Sequence, residues 1–267
     1  MSDHLSFQQT DLRLSWKNAT GARGVPRVAR APFSHTRHEP CADLSPFLEH
    51  YWHVTWDLPR GVEYMRVTLP HPSVHLVYEY GTWQLYGVQT NRFARTLQGC
   101  DQVFGVKFRP GMFRSFWGQD VAMLTDRMKD GTLLFAGLPN RLPVDLALLQ
   151  TALLACRPAI EPSASTAHDL VTLIASDSTL LQAEQVSRAA GLPLRTLHRL
   201  FRAHVGVGPK WIIRRYRLHE ALARIDADCK QDWAAFALEL GYVDRAHFIN
   251  DFRKLIGVSP ANYQVSQ

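Results

Sequence analysis

The sequence predicts a two-domain α+β chain: an N-terminal antiparallel β sandwich or barrel with flanking helices, then an all-helical tandem helix-turn-helix. Three observations carry this. Apolar residues recur at every second position between about 45 and 125, they recur at helical spacing from about 143, and one motif occurs twice within 183–263. The 267 residues are 46% hydrophobic and 20% charged, which is ample for a core and suits one large or two smaller domains.

In the first half, Trp52, Val54 and Trp56 alternate with Tyr51, His53 and Thr55, and Met65, Val67 and Leu69 follow the same rule. Val74, Leu76, Tyr78 and Tyr80 alternate with His75, Val77 and Glu79. Trp83 and Leu85 come after the break at Gly81, and Phe104, Val106 and Phe108 close the series. Short strands parted by Gly and Pro fit a sandwich or barrel. No helical pattern alternates with them, so a doubly wound parallel sheet is disfavoured.

Pro143 starts a helical run through Leu146, Leu149, Leu153 and Leu154, whose apolar stripe suits either a dimer seam or burial on its own domain. Glu161 to Thr166 reads as a linker, and Leu170, Val171 and Ile174 resume the helical period. The chain thus divides into a polar arm (1–32), a β-rich domain (33–142), a helical linker or dimerisation segment (143–176) and an all-helical domain that holds the repeat (177–267). The boundary between the two domains is placed between about 158 and 176.

Other classes are excluded or disfavoured. No window approaches the ~18 consecutive apolar residues of a membrane span, and the N-terminus lacks a signal-peptide pattern. Cys41, Cys100, Cys156 and Cys229 are scattered and form no Cys-x-x-Cys pair, so the reducing cytoplasm is the expected compartment.

The repeat is the most specific feature. One copy runs from Gly191 to Phe201 and on to Gly206 and Pro209; the other runs from Gly241 to Phe252 and on to Gly257 and Pro260. In each, an Ala-rich helix ends at a glycine suited to a left-handed cap, and Pro193 or Asp244 opens a second helix. That helix is expected to bury Leu194, Leu197 and Phe201 in one unit, and His247, Phe248 and Phe252 in the other. Two helix-turn-helix units result. Residues 209–225 read as a further helix joining them, with Trp211, Ile212, Tyr216, Leu218, Leu222 and Ile225 turned inward.

The opposite faces carry the chemistry. Arg195, His198, Arg199 and Arg202 form one stripe of the first unit, and Ala246, Ile249, Asn250 and Arg253, flanked by Arg245, form that of the second. Arginine reads guanine, asparagine reads adenine, and Ile or Ala touches a thymine methyl in a major groove. Nine Lys or Arg stand against one acid between 188 and 224, within a chain of net charge +6. Double-stranded DNA is the expected partner, bound by electrostatic docking followed by base readout.

The run Gly-Tyr-x-Asp-x-Ala-His-Phe-x-x-Asp-Phe-Arg-x-x-x-Gly-x-Ser-Pro from Gly241 to Pro260 resembles the signature of the AraC/XylS family of bacterial transcription regulators, and Gly191 to Pro209 resembles that family's first unit. The resemblance covers about 177–265. It implies a seven-helix DNA-binding domain with both recognition helices in the major groove, base-facing positions at Arg195, His198, Arg199, Arg245, Ala246 and Asn250, and an activator rather than a repressor. Pro193 stands where the family usually has Ser or Thr at the cap, and Asn250 where Arg is common. The segments Leu69 to Val77, Gly87 to Thr90 and Gly105 to Gly111 are similar to the β-rich sensor-type domain found ahead of some of these regulators.

A small-molecule effector, RNA polymerase and a second copy of the chain are further partners left open; a membrane is not expected. The effector-lining candidates are Trp52, Trp56, Tyr78, Tyr80, Trp83 and Arg109, although aromatics at period two also serve as plain core. No metal, cofactor or catalytic residue is expected. His50 and His53 fall on opposite strand faces, and His71 with His75 lacks a third ligand. The alternative of a different class is a DNA-repair or other cysteine-dependent enzyme fused to the DNA-binding module, with Cys41 or Cys100 as nucleophile; no Gly-x-Ser-x-Gly, Gly-x-Gly-x-x-Gly or Walker-type loop accompanies them.

Overall fold

A computed structural model describes residues 33–227 and 232–265. The arm expected at 1–32, and Cys229, lie outside the described residues. The first half forms β1 (Phe33–His38), β2 (Leu48–Asp57), β3 (Glu63–Thr68), β4 (His75–Glu79), β5 (Thr82–Tyr86), β6 (Phe93–Gln98), β7 (Cys100–Phe108), the one-turn helix α1 (Arg114–Trp117) and β8 (Met128–Asp130). The strands make a six-stranded antiparallel sheet in the order β1-β2-β7-β4-β5-β8 and a separate β3-β6 ribbon.

Both faces of the large sheet are covered, and that decides where its side chains go. Tyr51, Leu76, Tyr78, Trp83, Leu85 and Phe104 pack on one face with Phe113 of the turn before α1 and with Leu149 and Leu153 of α2 (Leu146–Ala155). On the other face Val54, Trp56, Val77 and Val103 pack with Leu97 of the ribbon. The residues that alternate with the expected core (His75, Val77 and Glu79 on β4) are therefore interior too, and they line a cavity between sheet and ribbon. β1 and β6 escaped the period-two pattern because their cavity-facing positions carry His35, Arg37 and Arg95 beside Phe33, Phe93 and Leu97.

The second half forms α3 (Pro162–Ser176), α4 (Ala183–Ala189), α5 (Leu194–His204), α6 (Pro209–Ala227), α7 (Trp233–Glu239), α8 (Arg245–Ile256) and α9 (Pro260–Val265). Glu161 to Thr166, expected as a linker, starts α3 instead: Pro162 occupies the first turn, where its missing N–H costs nothing. Ala167, Leu170, Val171 and Ile174 of α3 share a core with Val186, Leu197, Phe201 and Ile212, so α3 packs with the first helix-turn-helix. The dimer seam open to α2 is taken up internally, because Leu149, Ala152 and Leu153 are buried within the chain.

α6 connects the two helical cores. Ile212 and Ile213 enter the first, while Leu218, Leu222 and Ile225 enter the second beside Phe236, Phe248, Phe252 and Tyr263. Trp211 and Tyr216 are only half-buried. The repeat is also a repeat of backbone: Gly191 and Gly241 lie at φ +62° and +72°, and Gly206 and Gly257 at +92° and +99°. Only glycine adopts these angles freely, so the turns before and after each second helix are fixed by residue type.

The helical part docks on the β-rich part at several points. Thr125 Oγ1 donates to Gly206 O at 2.7 Å, Arg215 Nε donates to Pro70 O, and Leu69 packs on the second helical core.

Candidate nucleic-acid interface

Each helix-turn-helix is built from a short first helix and a longer second one. In the first unit α4 is capped by a reciprocal Gln182–Gln185 box, and Ser187 Oγ donates to Leu192 O across the turn at 2.5 Å. Pro193 opens α5 with no side-chain cap bond, as a residue without a polar side chain must. In the second unit Asp232 caps α7, and Asp244 caps α8 by accepting from His247 N–H at 2.7 Å.

Leu197 and Phe201 are fully buried under α5, and Phe248 and Phe252 under α8. Leu194 is half-buried. His247, expected in the core, is exposed instead; its ring meets the edge of Tyr242 and its Nε2 lies 3.9 Å from Asp251 Oδ2. The cause is position in the first turn of α8, where the side chain clears the packed face. Arg195, His198, Arg199 and Arg202 are all exposed along α5, as are Arg245, Ala246, Asn250 and Arg253 along α8. Arg202 Nε lies 3.9 Å from Asp120 of the β-rich part.

The positive run between 188 and 224 separates into two populations. Arg188, Arg195, Arg199, Arg202 and Lys210 are exposed. Arg214 pairs with Asp251, Arg215 is buried, Arg217 donates to the Leu181 and Gly241 carbonyls, and Arg224 bridges Glu220 and Glu239. Arg214, Arg217 and Arg224 hold helical segments together and Arg215 reaches Pro70 of the β-rich part, so sequence charge alone overstates the cationic face.

The cavity has a volume of about 240 Å³ and an apolar body ending in charged groups. Of the effector candidates, Trp52 and Trp56 line it. The other effector candidates do not. Tyr78 and Trp83 project to the opposite face of the sheet, where Trp83 Nε1–H donates to Pro139 O at 2.6 Å; strand parity assigns them to the core. Tyr80 sits at a turn with φ +50° and is 82% exposed. Arg109 Nε–H donates to Ser45 O at 2.7 Å and holds a turn.

Sequence reasoning missed the charged lining. Lys107 on β7 pairs with Glu49 at 2.9 Å, and burial lowers its pKa to about 8 although Glu49 opposes the shift. His75 faces Lys107 across the β4–β7 register and accepts from Trp52 Nε1–H at 3.3 Å on Nδ1, which places its own proton on Nε2. Near the other end of β4, Glu79 pairs with Arg95 and accepts from the Tyr86 hydroxyl. The available signal was polarity on a strand buried on both faces: Glu79 and Lys107 are 5% and 1% exposed. Among the described residues no cluster of three or more His, Cys, Asp or Glu is arranged to hold a metal.

Gly105 is opposite Trp52 in the β2–β7 register, and a Cβ there would overlap the Trp52 ring. Gly105→Ala is therefore expected to push Trp52 into the cavity at a cost of about 1–3 kcal/mol. The measurement is urea unfolding together with the tryptophan emission maximum; unchanged stability and emission would show that the indole does not rest on this strand.

Comparison with known proteins agrees with this organisation. The family described as "Helix-turn-helix domain" matches residues 186–265, and "Domain of unknown function (DUF6597)" matches residues 36–130. An uncharacterized HTH-type transcriptional regulator of Haemophilus influenzae is 32% identical over 83 residues, covering 31% of this chain and 28% of the relative. The HTH-type transcriptional activator RhaS of Pectobacterium carotovorum is 38% identical over 69 residues, covering 26% and 24%. The chain thus spans less than a third of the length of these relatives.

Among solved structures, an AraC-type regulator of Chromobacterium violaceum aligns at TM-score 0.35 and 21% identity over 39% of this chain and 92% of its own. ToxT of Vibrio cholerae aligns at TM-score 0.37 and 11% identity over 88% and 99%. Sequence match, repeat and backbone geometry agree on the organisation: residues 186–265 match a helix-turn-helix domain family, and residues 36–130 ahead of them match the DUF6597 family.

Proposed function

We propose that this chain is a sequence-specific, double-stranded DNA-binding transcriptional regulator whose β-rich domain responds to a small molecule. The observation that carries it is the pair of second helices, α5 and α8, each with aromatic and aliphatic residues buried beneath and a polar stripe left in solvent. α6 enters both helical cores and fixes one unit relative to the other. Entry into consecutive major grooves on one side of a duplex requires a separation of about 34 Å. Arg195, His198 and Arg199 read bases in one groove; Arg245, Ala246 and Asn250 read the next, with Arg202 and Arg253 nearer the phosphates.

Activation, with RNA polymerase as protein partner, is the mode the family likeness favours, and the bacterial cytoplasm is where such a duplex is met. Among the described residues no helix is long and apolar enough to cross a membrane. A cysteine-dependent enzyme gains no support from placement: Cys41 packs at the edge of the β-rich core, Cys100 is exposed, and neither lines the cavity.

The test is selection of bound fragments from bacterial genomic DNA by the purified chain, followed by affinity measurement on the recovered site. Arg199→Ala is expected to lose about 1–3 kcal/mol and to relax preference at one base pair. Affinity should fall steeply with salt, by about 0.9 in the log–log slope per phosphate contacted. An equal loss on every sequence would make Arg199 a phosphate clamp, and absent or salt-insensitive retention on duplex DNA would end the proposal.

A further inference from the structure

We propose that the cavity of the β-rich domain takes an organic carboxylate with an aromatic or aliphatic body, its acidic head held jointly by Lys107 on β7 and by Arg215 and His219 on α6. The proposal rests on the reading that this domain is regulatory, and it adds the chemical class of the effector and the second domain's share in binding it.

Arg215 is the strongest observation. It is 4% exposed, its Nε–H donates to Pro70 O, and its guanidinium lies 4.9 Å from the Tyr216 ring centroid. Among the described residues no carboxylate forms an ion pair with it. A buried cation without a counter-ion is costly, and proteins retain one where an anion completes the site. Burial pulls its pKa down to about 10, which still leaves it charged.

His219 stands one turn further along the same face of α6. Its Nε2 is shut off from solvent and makes no hydrogen bond, although the ring lines the cavity. Across the gap, Lys107 already has Glu49 as its ion-pair partner, and Glu49 acts on Arg215 without forming an ion pair with it. His71 and His75 line the same end, and burial with Lys107 beside them holds both neutral.

The rest of the lining fixes the body. Trp52, Val54, Trp56, Tyr64, Phe93 and Leu97 surround the space beyond the charged end. From His75 to Glu79 the wall runs four residues along β4, about 13 Å at about 3.3 Å per residue. At its far end Glu79 is already satisfied by Arg95 and Tyr86. The site thus suits a slender organic acid rather than a sugar, which would leave hydroxyls unpaired against Trp and Val. Because its head is gripped from both domains, the same molecule ties the β-rich domain to α6, the helix shared by the two DNA-binding units.

The test uses the full chain, without DNA, titrated with 4-phenylbutyrate and octanoate, and in parallel with their primary amides, by calorimetry and tryptophan fluorescence. At least one acid is expected to saturate a single site at least tenfold more tightly than its amide, and Arg215→Gln to abolish that preference. Should Arg215→Gln fail to fold, His219→Leu serves, with a several-fold loss confined to the acid. Absence of saturable binding by both acids, equal affinity for acid and amide, or saturation by inorganic phosphate with no preference for the acids overturns the proposal. Acid binding by a chain that ignores duplex DNA sinks the transcriptional reading alone, whereas DNA binding without either acid sinks this one alone.

Discussion

Lowering the pH from about 7.5 to about 5 is expected to remove about 4 kcal/mol of folding stability through two cavity histidines. Burial, followed by the nearby Lys107 charge, lowers His50 to about 4 and His75 to about 3, against 6.5 for the unconstrained ring. Arg37 and His35 add to the shift of His50 while Glu49 opposes it, and His50 itself adds to that of His75. Below pH 6.5 the unfolded chain binds these protons first, so stability falls by about 1.4 kcal/mol per pH unit per ring. The loss for His50 ends near pH 4 and for His75 near pH 3, where the folded rings also titrate. At pH 5 each ring has lost about 2 kcal/mol.

His71 and His219, also held neutral by burial, act in the same direction. Urea midpoints at the two pH values provide the measurement. Equal midpoints would show that these rings take up protons in the folded chain and that water reaches them freely.

Phe248→Ala is expected to cost about 3–5 kcal/mol and to abolish high-affinity binding to the selected DNA site. Phe248 is fully buried, and its ring lies 5.4 to 6.3 Å, centroid to centroid, from those of Tyr242, Phe236, Phe252 and Trp233. The cluster draws on α7, α8 and the turn between them, so its loss loosens the whole second unit. Chemical unfolding monitored through Trp233, with duplex affinity measured beside it, separates the two effects. Wild-type DNA affinity in a folded Phe248→Ala chain would mean that the second unit does not contribute to the grip.

The helical half was legible in the sequence because its information is local. A glycine at a left-handed turn, an Asp at a cap and aromatics four residues apart determine a helix-turn-helix within twenty residues, and two copies make the pattern specific. Strands with a clear apolar period were legible for the same reason. β1, β6 and β8 were not, since β1 and β6 turn His and Arg inward and β8 is a three-residue edge whose side chains are exposed. The start of α3 was obscured by Pro162 and its polar neighbours, which read as a linker until packing against α5 and α6 is known.

The sequence by itself determined the two helix-turn-helix units, their exposed stripes and the β-rich character of the domain before them, since each depends on residues close together in the chain. Only the tertiary structure decided which charges are available. Arg214, Arg217 and Arg224 are tied to partners between 4 and 37 residues away, and Arg215 is brought to Pro70 across 145. It also decided that His75, Glu79 and Lys107 face a cavity rather than water, because covering both faces of a sheet is a property of the ribbon and helices laid over it and leaves no mark on the strand's own alternation.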